Sequence, residues 1–549
     1  MSDARYDAVV LGGGHHATII APYLARAGLS VIVLERTAHL GGGACSGEGP
    51  APGFTMNHCS HWTRFYGHPA YREFGLYDEG LRYVFPEENE GMIFDDGSSL
   101  IGFSASRVVD PTTGRQERSE QNIEKTAEQI AHFSKPDAET YLELLDAYEQ
   151  HWKAAFRRHR FSPPPPWGTP DPLEELLAVP GSRIEPVHQL MTVRQLAQDF
   201  FESRELQILF MRAATTSTGC FPDDVPGLQG LIHCLPLTLS FEPAAIAIGG
   251  SQAITDALVS AGRKRGVEYM TSSEVDRIIV EDGRASGVEL ADGARIAAEL
   301  VVSDLGLGQT VLRLLRDVEL DGRLRRRIAN VVYDRGQLLW ANVALHEPPR
   351  FLAERDNPGV GSQPRLYWGP KDIDYLHLRY QPEIFTGGFA ERPYVLCSVD
   401  SLWDTTRAPE GMHVVGVEEF SAPRRRFSDG EWRAIRDRFT DNLLRKWASY
   451  APNMTAENVI ATRVYTPADI ERERLNLVQG GYSGGSTIAS QLGRFRPIPD
   501  LAGYRVLLDN LYDCSANLHS GPGIGRGSSY NCYQEIARAL HLDGAAVAA

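Results

Sequence analysis

Runs of apolar residues alternate with helical spacing at the start of the chain. Residues 8–11 are an unbroken apolar run, 18–26 repeat apolar side chains at helical spacing, and after Ser30 the chain is apolar again to Leu34. That order predicts strand, helix, strand, joined first by the glycine turn Gly12-Gly13-Gly14-His15-His16-Ala17. A hairpin turn is expected at 93–98, and from about 106 to 245 the spacing turns helical. Ser134 is placed to cap a helix with Pro136 in its first turn and Asp137 at the third position. Tyr141, Leu144, Leu145, Tyr148 and Trp152 then share one face, which fits core better than a substrate wall. Pro163 to Pro166 predicts a rigid connector, and 193–211 a single amphipathic helix ended by the softer stretch 215–219.

Further on, Gly249-Gly250-Ser251-Gln252 opens a helix to about Lys264, followed by short strands at 267–270, 275–280, 285–290 and 295–302. A mixed region from 311 to 465 carries strand-like runs at 337–345, 394–399 and 413–417. It also holds a helix boxed by Ser428 and Glu431, with Trp432, Ile435, Phe439, Leu443 and Trp447 on one face. Leu507, Leu508, Leu511 and Tyr512 mark a last strand, then a glycine-rich turn over 513–527 leads into a helix at 529–540.

The first turn carries chemistry. Gly12 makes the tight turn, Gly14 lets backbone approach a pyrophosphate, and Ala17 keeps helix and strand close. The helix N-terminus, entered through His15 and His16, offers free amides to phosphate, and Glu35 ends the second strand where an acid can accept from a ribose hydroxyl. Arg36 follows, and a second cluster, Gly41-Gly42-Gly43-Ala44, is expected to fold back against the same cofactor, an arrangement common in FAD proteins. Val275 is expected on the adenine side. The late turn, with Asp513, Gly523 and Ile524, is a second strand-to-helix passage. Its helix N-terminus is suited to the negative charge of a reduced flavin. Residues 53–64 either line the reacting side or form an ordinary polar passage. Histidines alone do not decide between the two.

Composition narrows the partners. The 549 residues carry a net charge of −16, 42% hydrophobic and 23% charged residues, those of a globular protein large enough for a substantial core. The acidic balance argues against nucleic acid and against attraction to anionic lipid. No run of about 18 apolar residues is present. The first strand begins too early to leave room for a cleaved signal, and the 7 cysteines are scattered without CxxC spacing, so a cytoplasmic compartment is expected. His58-Cys59-Ser60-His61 has no second ligand cluster, and no metal is expected.

Taken in order, these motifs resemble the phytoene desaturase family of FAD-dependent oxidoreductases, especially its pyridine nucleotide-disulphide oxidoreductase domain 2-like and retinol saturase-like branches. The resemblance runs nearly end to end. It rests on the Gly12 to Glu35 unit, the Gly41-Gly42-Gly43-Ala44 turn, the stretch from Gly53-Phe54 to Ser60-His61, and Gly249-Gly250 with the strands after it. Ser401-Leu402-Trp403-Asp404, Ala408-Pro409-Glu410-Gly411-Met412-His413 and Arg496-Pro497-Ile498-Pro499 ahead of Tyr504-Arg505 complete it. The chain departs from the family at His16, where Asn is usual, and at Asn57, where Asp is common. It departs again in the last turn, where Arg526 replaces a glycine.

The resemblance implies an α/β fold: a discontinuous Rossmann-like FAD-binding domain (1–105, 246–310 and 466–549) with a helical cap at 106–245 and an inserted α+β substrate part at 311–465. It implies an FAD enzyme, a desaturase or dehydrogenase moving a hydride from a largely apolar organic substrate to flavin N5, with at most peripheral membrane contact. The candidate catalytic side chains are His61, Arg64, His519 and Arg526. Alternatives within the fold are a flavin-dependent isomerase or saturase and an amine oxidase relative. A non-catalytic escort-type lipid binder is the alternative from another class, and the nearly complete phosphate and ribose motif argues against it.

Overall fold

The structure, a computed structural model, describes residues 4–333 and 336–542. Two sheets organise it. In the first, Glu268–Met270, Val31–Leu34, Ala4–Leu11 and Arg295–Ser303 run parallel in that order. Through its first residues, 295–297, Arg295–Ser303 also pairs antiparallel with Arg284–Leu290 and so with Val275–Glu281, while its last residues pair in parallel with Leu511–Asp513. The central strand is covered on both faces, which is why it needs an unbroken apolar run: Ala8, Val9, Val10 and Leu11 are all fully buried. Register aligns Leu11 with Leu34 and with Ser303, and Ser303 with Asp513. The residues that follow each strand therefore emerge along one edge, where open parallel sheets bind ligands.

The helix His15–Arg26 packs on this sheet against Gln252–Arg263 and Ser528–Ala539, so elements from the start, middle and end of the chain build one nucleotide-binding unit. The first strand, helix and second strand, the helix after Gly250 and the three-stranded meander lie where the sequence pattern predicts them.

The second sheet has the order Val459–Tyr465, Gln337–Leu345, His413–Ser421, Val395–Ser398, Arg365–Gly369, Glu88–Phe94 and Ser99–Phe103. The last two strands lie within residues 1–105, expected to be the first flavin segment, yet they pair here. Arg365 sits opposite Glu90 in the parallel register, and their side chains form an ion pair buried on both sides. The helix Asp429–Tyr450 keeps its capping box at Ser428 and Glu431, and buries Trp432, Ile435, Phe439, Leu443 and Trp447.

Two elements differ from their pattern. The expected helix at 193–211 is two helices, Val193–Phe200 and Arg204–Thr218. Between them the buried Asp137 carboxylate accepts the amides of Glu202 at 2.8 Å and Ser203 at 2.9 Å, competing with helical hydrogen bonds there. The second helix continues through Thr215 and Thr216 and stops where Gly219 turns left-handed at φ 71. Leu507 and Leu508 are not in the last strand. Leu507 has φ 59 and is 38% exposed, so pairing begins at Leu511.

Candidate cofactor groove and reaction chamber

The first glycine turn is shaped by an acid that the motif does not include. Gly12 needs its left-handed φ of 88, but Gly14, at φ −69, does not need glycine for its backbone. It needs glycine for space: an ideal Cβ on Gly14 would lie 2.4 Å from Asp304 Oδ2. The same oxygen accepts the Ala17 amide at 3.1 Å. Burial, with the charges of Asp513 and Glu35 added, pushes the Asp304 carboxyl well above the usual carboxylate range. Asp304 is the chief residue that sequence reasoning missed. Its signal was an acid two residues past a predicted strand, at the edge where ligands bind.

Glu35 closes the turn from the other side, accepting the Gly13 and Thr37 amides at 2.8 Å each. The second glycine cluster does fold back against the first. Gly41 donates to the Gly13 carbonyl at 2.7 Å, and a Cβ on Gly42 would meet Gly14 Cα at 3.1 Å.

Along this edge runs a groove of two chambers that share Gly14, Asp304 and Asn476. The smaller encloses about 790 Å³, counting space open to solvent, and is lined by Gly12, Glu35, Arg36, Gly42 and Val275. The larger encloses about 1520 Å³ on the same measure. His15, His16, Gly43, Gly523 and Ile524 line it, together with His61, Arg64 and Arg526. Asp513 lies beneath rather than along the groove. Its Oδ1 accepts the Ser515 amide at 2.8 Å, and burial pushes its carboxyl up to about 7.

His519 does not reach the chamber. The last loop turns it inward against the helix Lys153–Arg160, where its Nε2 lies 2.7 Å from the His159 carbonyl and its ring meets His159 edge-on. It is 1% exposed, and burial lowers its pKa to about 3. A proton carrier must reach the reacting atoms, so the expected catalytic role of His519 is not supported.

His61 is positioned by residues far along the chain. Its Nδ1 lies 2.9 Å from Asp400 Oδ2, which also receives Arg407 Nη1, while Ser398 Oγ donates to Asp400 Oδ1. The ring lies so close over Gly416 that a Cβ there would come within 1.9 Å of Cε1. Although burial opposes ionisation of both partners, Arg407 and His61 hold Asp400 down to about 2, and Asp400 in turn raises His61 above the ordinary histidine value. Nδ1 is committed to Asp400, and Nε2 has no hydrogen-bond partner among the described residues. Glu418 lines the chamber nearby, pushed up by burial.

The residues present fit a flavin dinucleotide. Two glycine turns touch beside a helix N-terminus, as a pyrophosphate requires. Around them His15 Nε2 and His16 Nε2 are buried polar atoms without a partner among the described residues, which a polar ligand would satisfy. Fold and groove together define a flavin-dependent oxidoreductase with a discontinuous nucleotide-binding domain. The chain belongs to the family described as flavin containing amine oxidoreductase, whose model matches residues 19–417.

It is 27% identical to a limonene dehydrogenase component of Castellaniella defragrans, over 99% of this chain and 96% of that one. It is 25% identical to pyridine nucleotide-disulfide oxidoreductase domain-containing protein 2 of Rattus norvegicus, over 97% and 94%. A solved structure of a putrescine oxidase mutant superposes with a TM-score of 0.59 at 15% identity, covering 98% of this chain and 99% of that one, and shows the same fold. The protein is an FAD-dependent oxidoreductase of the phytoene desaturase-like kind, as its motifs implied. No helix among the described residues is long and apolar enough to cross a membrane, and no group of three or more potential metal ligands is found among them.

Proposed function

We propose that the protein is a dehydrogenase that forms a double bond in a largely apolar organic molecule. The observation that carries this reading is the larger chamber. It adjoins the phosphate turn at Gly14, has walls that include Trp62, Leu338, Trp340, Leu477 and Ile524, and holds the His61–Asp400 pair at its side. Bound FAD would supply the two-electron acceptor at this place. As hydride leaves one substrate carbon, a proton must leave its neighbour for the double bond to form. Neutral His61 takes that proton at Nε2, and Asp400 stabilises the resulting imidazolium through Nδ1. Gly12, Gly14 and Gly42 would hold the pyrophosphate, Glu35 and Arg36 the ribose end, and Val275 the adenine.

An amine substrate is disfavoured by charge, since Arg64, Arg160 and Arg526 all line the chamber and would repel a protonated amine. The limonene dehydrogenase relative supports a hydrocarbon-like substrate. No disulfide links the cysteines among the described residues, which supports a reducing, cytoplasmic setting. Contact with membranes is at most peripheral in this reading. The test is anaerobic mixing of the FAD-loaded protein with limonene, longer hydrocarbons and primary amines, while flavin bleaching is followed. Bleaching by a hydrocarbon is expected; bleaching by amines alone would overturn the reading.

A further inference from the structure

Charge is unevenly spread around the larger chamber. At one end Arg64, Arg160, Arg526 and His233 line it together. They come from four separate parts of the chain: the loop after His61, the end of the helix Lys153–Arg160, the helix Gly227–Thr238, and the loop ahead of Ser528–Ala539. The Arg526 side chain makes no hydrogen bond or ion pair among the described residues, and its Nη1 is buried without a partner. The Arg160 side chain also donates to nothing among them, and its Nε is likewise buried. Both guanidinium groups lie near the Phe156 ring, 4.4 Å from its centroid for Arg160 and 5.9 Å for Arg526. Such contacts return about 0.5–2 kcal/mol each and leave the guanidinium N–H donors unmatched.

The chain does not neutralise this end. Arg64 Nη2 donates to the Glu242 carbonyl oxygen at 2.8 Å, and the Glu242 carboxylate receives the Tyr148 hydroxyl. The deeper Arg365 is matched by Glu90. That leaves three half-buried guanidinium groups at the chamber wall with Glu242 as the nearby carboxylate, a surplus of positive charge. Burial and the neighbouring Arg160 charge depress Arg526 to about 9, which still leaves it charged at neutral pH. The pyrophosphate turn lies elsewhere, at Gly14. Negative charge on a flavin builds only after reduction, whereas this surplus is permanent.

We propose that this end of the chamber is a carboxylate subsite, and that the substrate is an amphipathic acid held by Arg160 and Arg526 with its apolar body along Leu338, Trp340 and Ile524. Guanidinium forks match carboxylates two bonds at a time, which suits this class of ligand. The proposal rests on the dehydrogenase reading of the same chamber and adds to it the charged end of the substrate.

The test uses oxidised, FAD-loaded protein and no turnover. Decanoate, decanol and inorganic phosphate are titrated separately, and the perturbation of the flavin spectrum reports binding. Decanoate is expected to bind at least about tenfold more tightly than decanol, the value of one charge-assisted hydrogen-bonded pair. Arg160→Gln and Arg526→Gln should each lose about tenfold or more for decanoate, with decanol unchanged and FAD retained. Arg526→Lys, which keeps the charge, should recover part of the loss and guards against a variant that simply misfolds. Equal binding of decanoate and decanol, or wild-type decanoate affinity in both glutamine variants, would overturn the subsite. Phosphate binding as tightly as decanoate would overturn the assignment to carboxylates. Bleaching by hydrocarbons without any decanoate preference removes the subsite alone. A decanoate preference with no donor able to bleach the flavin supports the subsite and removes only the dehydrogenase reading.

Discussion

The Asp304 carboxylate occupies the space that a side chain on Gly14 would need, 2.4 Å from the ideal Cβ position, while its Oδ2 holds the Ala17 amide. The small residues of the nucleotide turn thus serve two purposes, access for phosphate and room for a buried acid.

Gly14→Val is expected to lose FAD while the protein stays folded. The new side chain would press on Asp304 and on the pyrophosphate path together, and overpacking of this kind costs about 1–3 kcal/mol. Flavin retained through gel filtration, read from the visible spectrum, checks it. If Asp304 is the main obstacle, Gly14→Ala should bind FAD poorly and the double variant with Asp304→Ala should regain part of it. Full flavin occupancy in Gly14→Val would make the turn a structural feature only.

Asp137→Ala is expected to destabilise the helical region by roughly 3 kcal/mol, since the half-buried Glu202 amide and the buried Ser203 amide and hydroxyl lose their acceptor. Thermal unfolding of the FAD-loaded protein checks this. A change below about 0.5 kcal/mol would mean that the backbone at 201–203 is extended for another reason.

Asp137 also marks where reading by pattern stops. Phe200 and Phe201 continue the apolar spacing of a helix, so nothing local announces the break. The cause is a carboxylate some 65 positions earlier. The first strand was legible for the opposite reason, because burial on both faces demands an apolar run that periodicity detects directly. Asp304 and Asp400 were not legible as site residues. They meet Ala17 and His61 across separations of 287 and 339 residues, and only strand pairing brings them there. Leu507 misled because apolar character says nothing about a positive φ. Arg526 was identified by sequence as a departure, and the structure places it on the chamber wall, neither paired with a carboxylate nor fully exposed.

The His61–Asp400 pair should give activity and stability opposite slopes with pH. Its raised folded pKa means that His61 contributes stability fully below its ordinary value of 6.5, and that this is lost as pH rises through the raised value. Proton acceptance needs the neutral ring, so turnover should rise over the same interval. His61→Gln should lower turnover by about 10²–10⁴-fold and remove that pH dependence. It should also shrink the difference in Tm from wild type as pH rises. An unchanged pH profile of flavin reduction in the variant would exclude His61 as the proton acceptor.

Arg526 bears on the flavin as well as on the substrate. Reduction places negative charge on the isoalloxazine, and a fixed positive charge in the same chamber stabilises that state. With an effective dielectric suited to protein interiors, one such charge contributes about 1–2 kcal/mol. For a two-electron couple this corresponds to about 30 mV. Arg526→Gly, which restores the residue usual in the family, is therefore expected to lower the flavin midpoint potential by about that amount. FAD should stay bound, because the phosphate turn is formed elsewhere. Arg526→Lys should keep most of the potential, since it preserves the charge while losing the fork. Spectroelectrochemical titration of the three proteins separates charge from shape. A potential that is the same in all three would show that Arg526 does not act on the flavin.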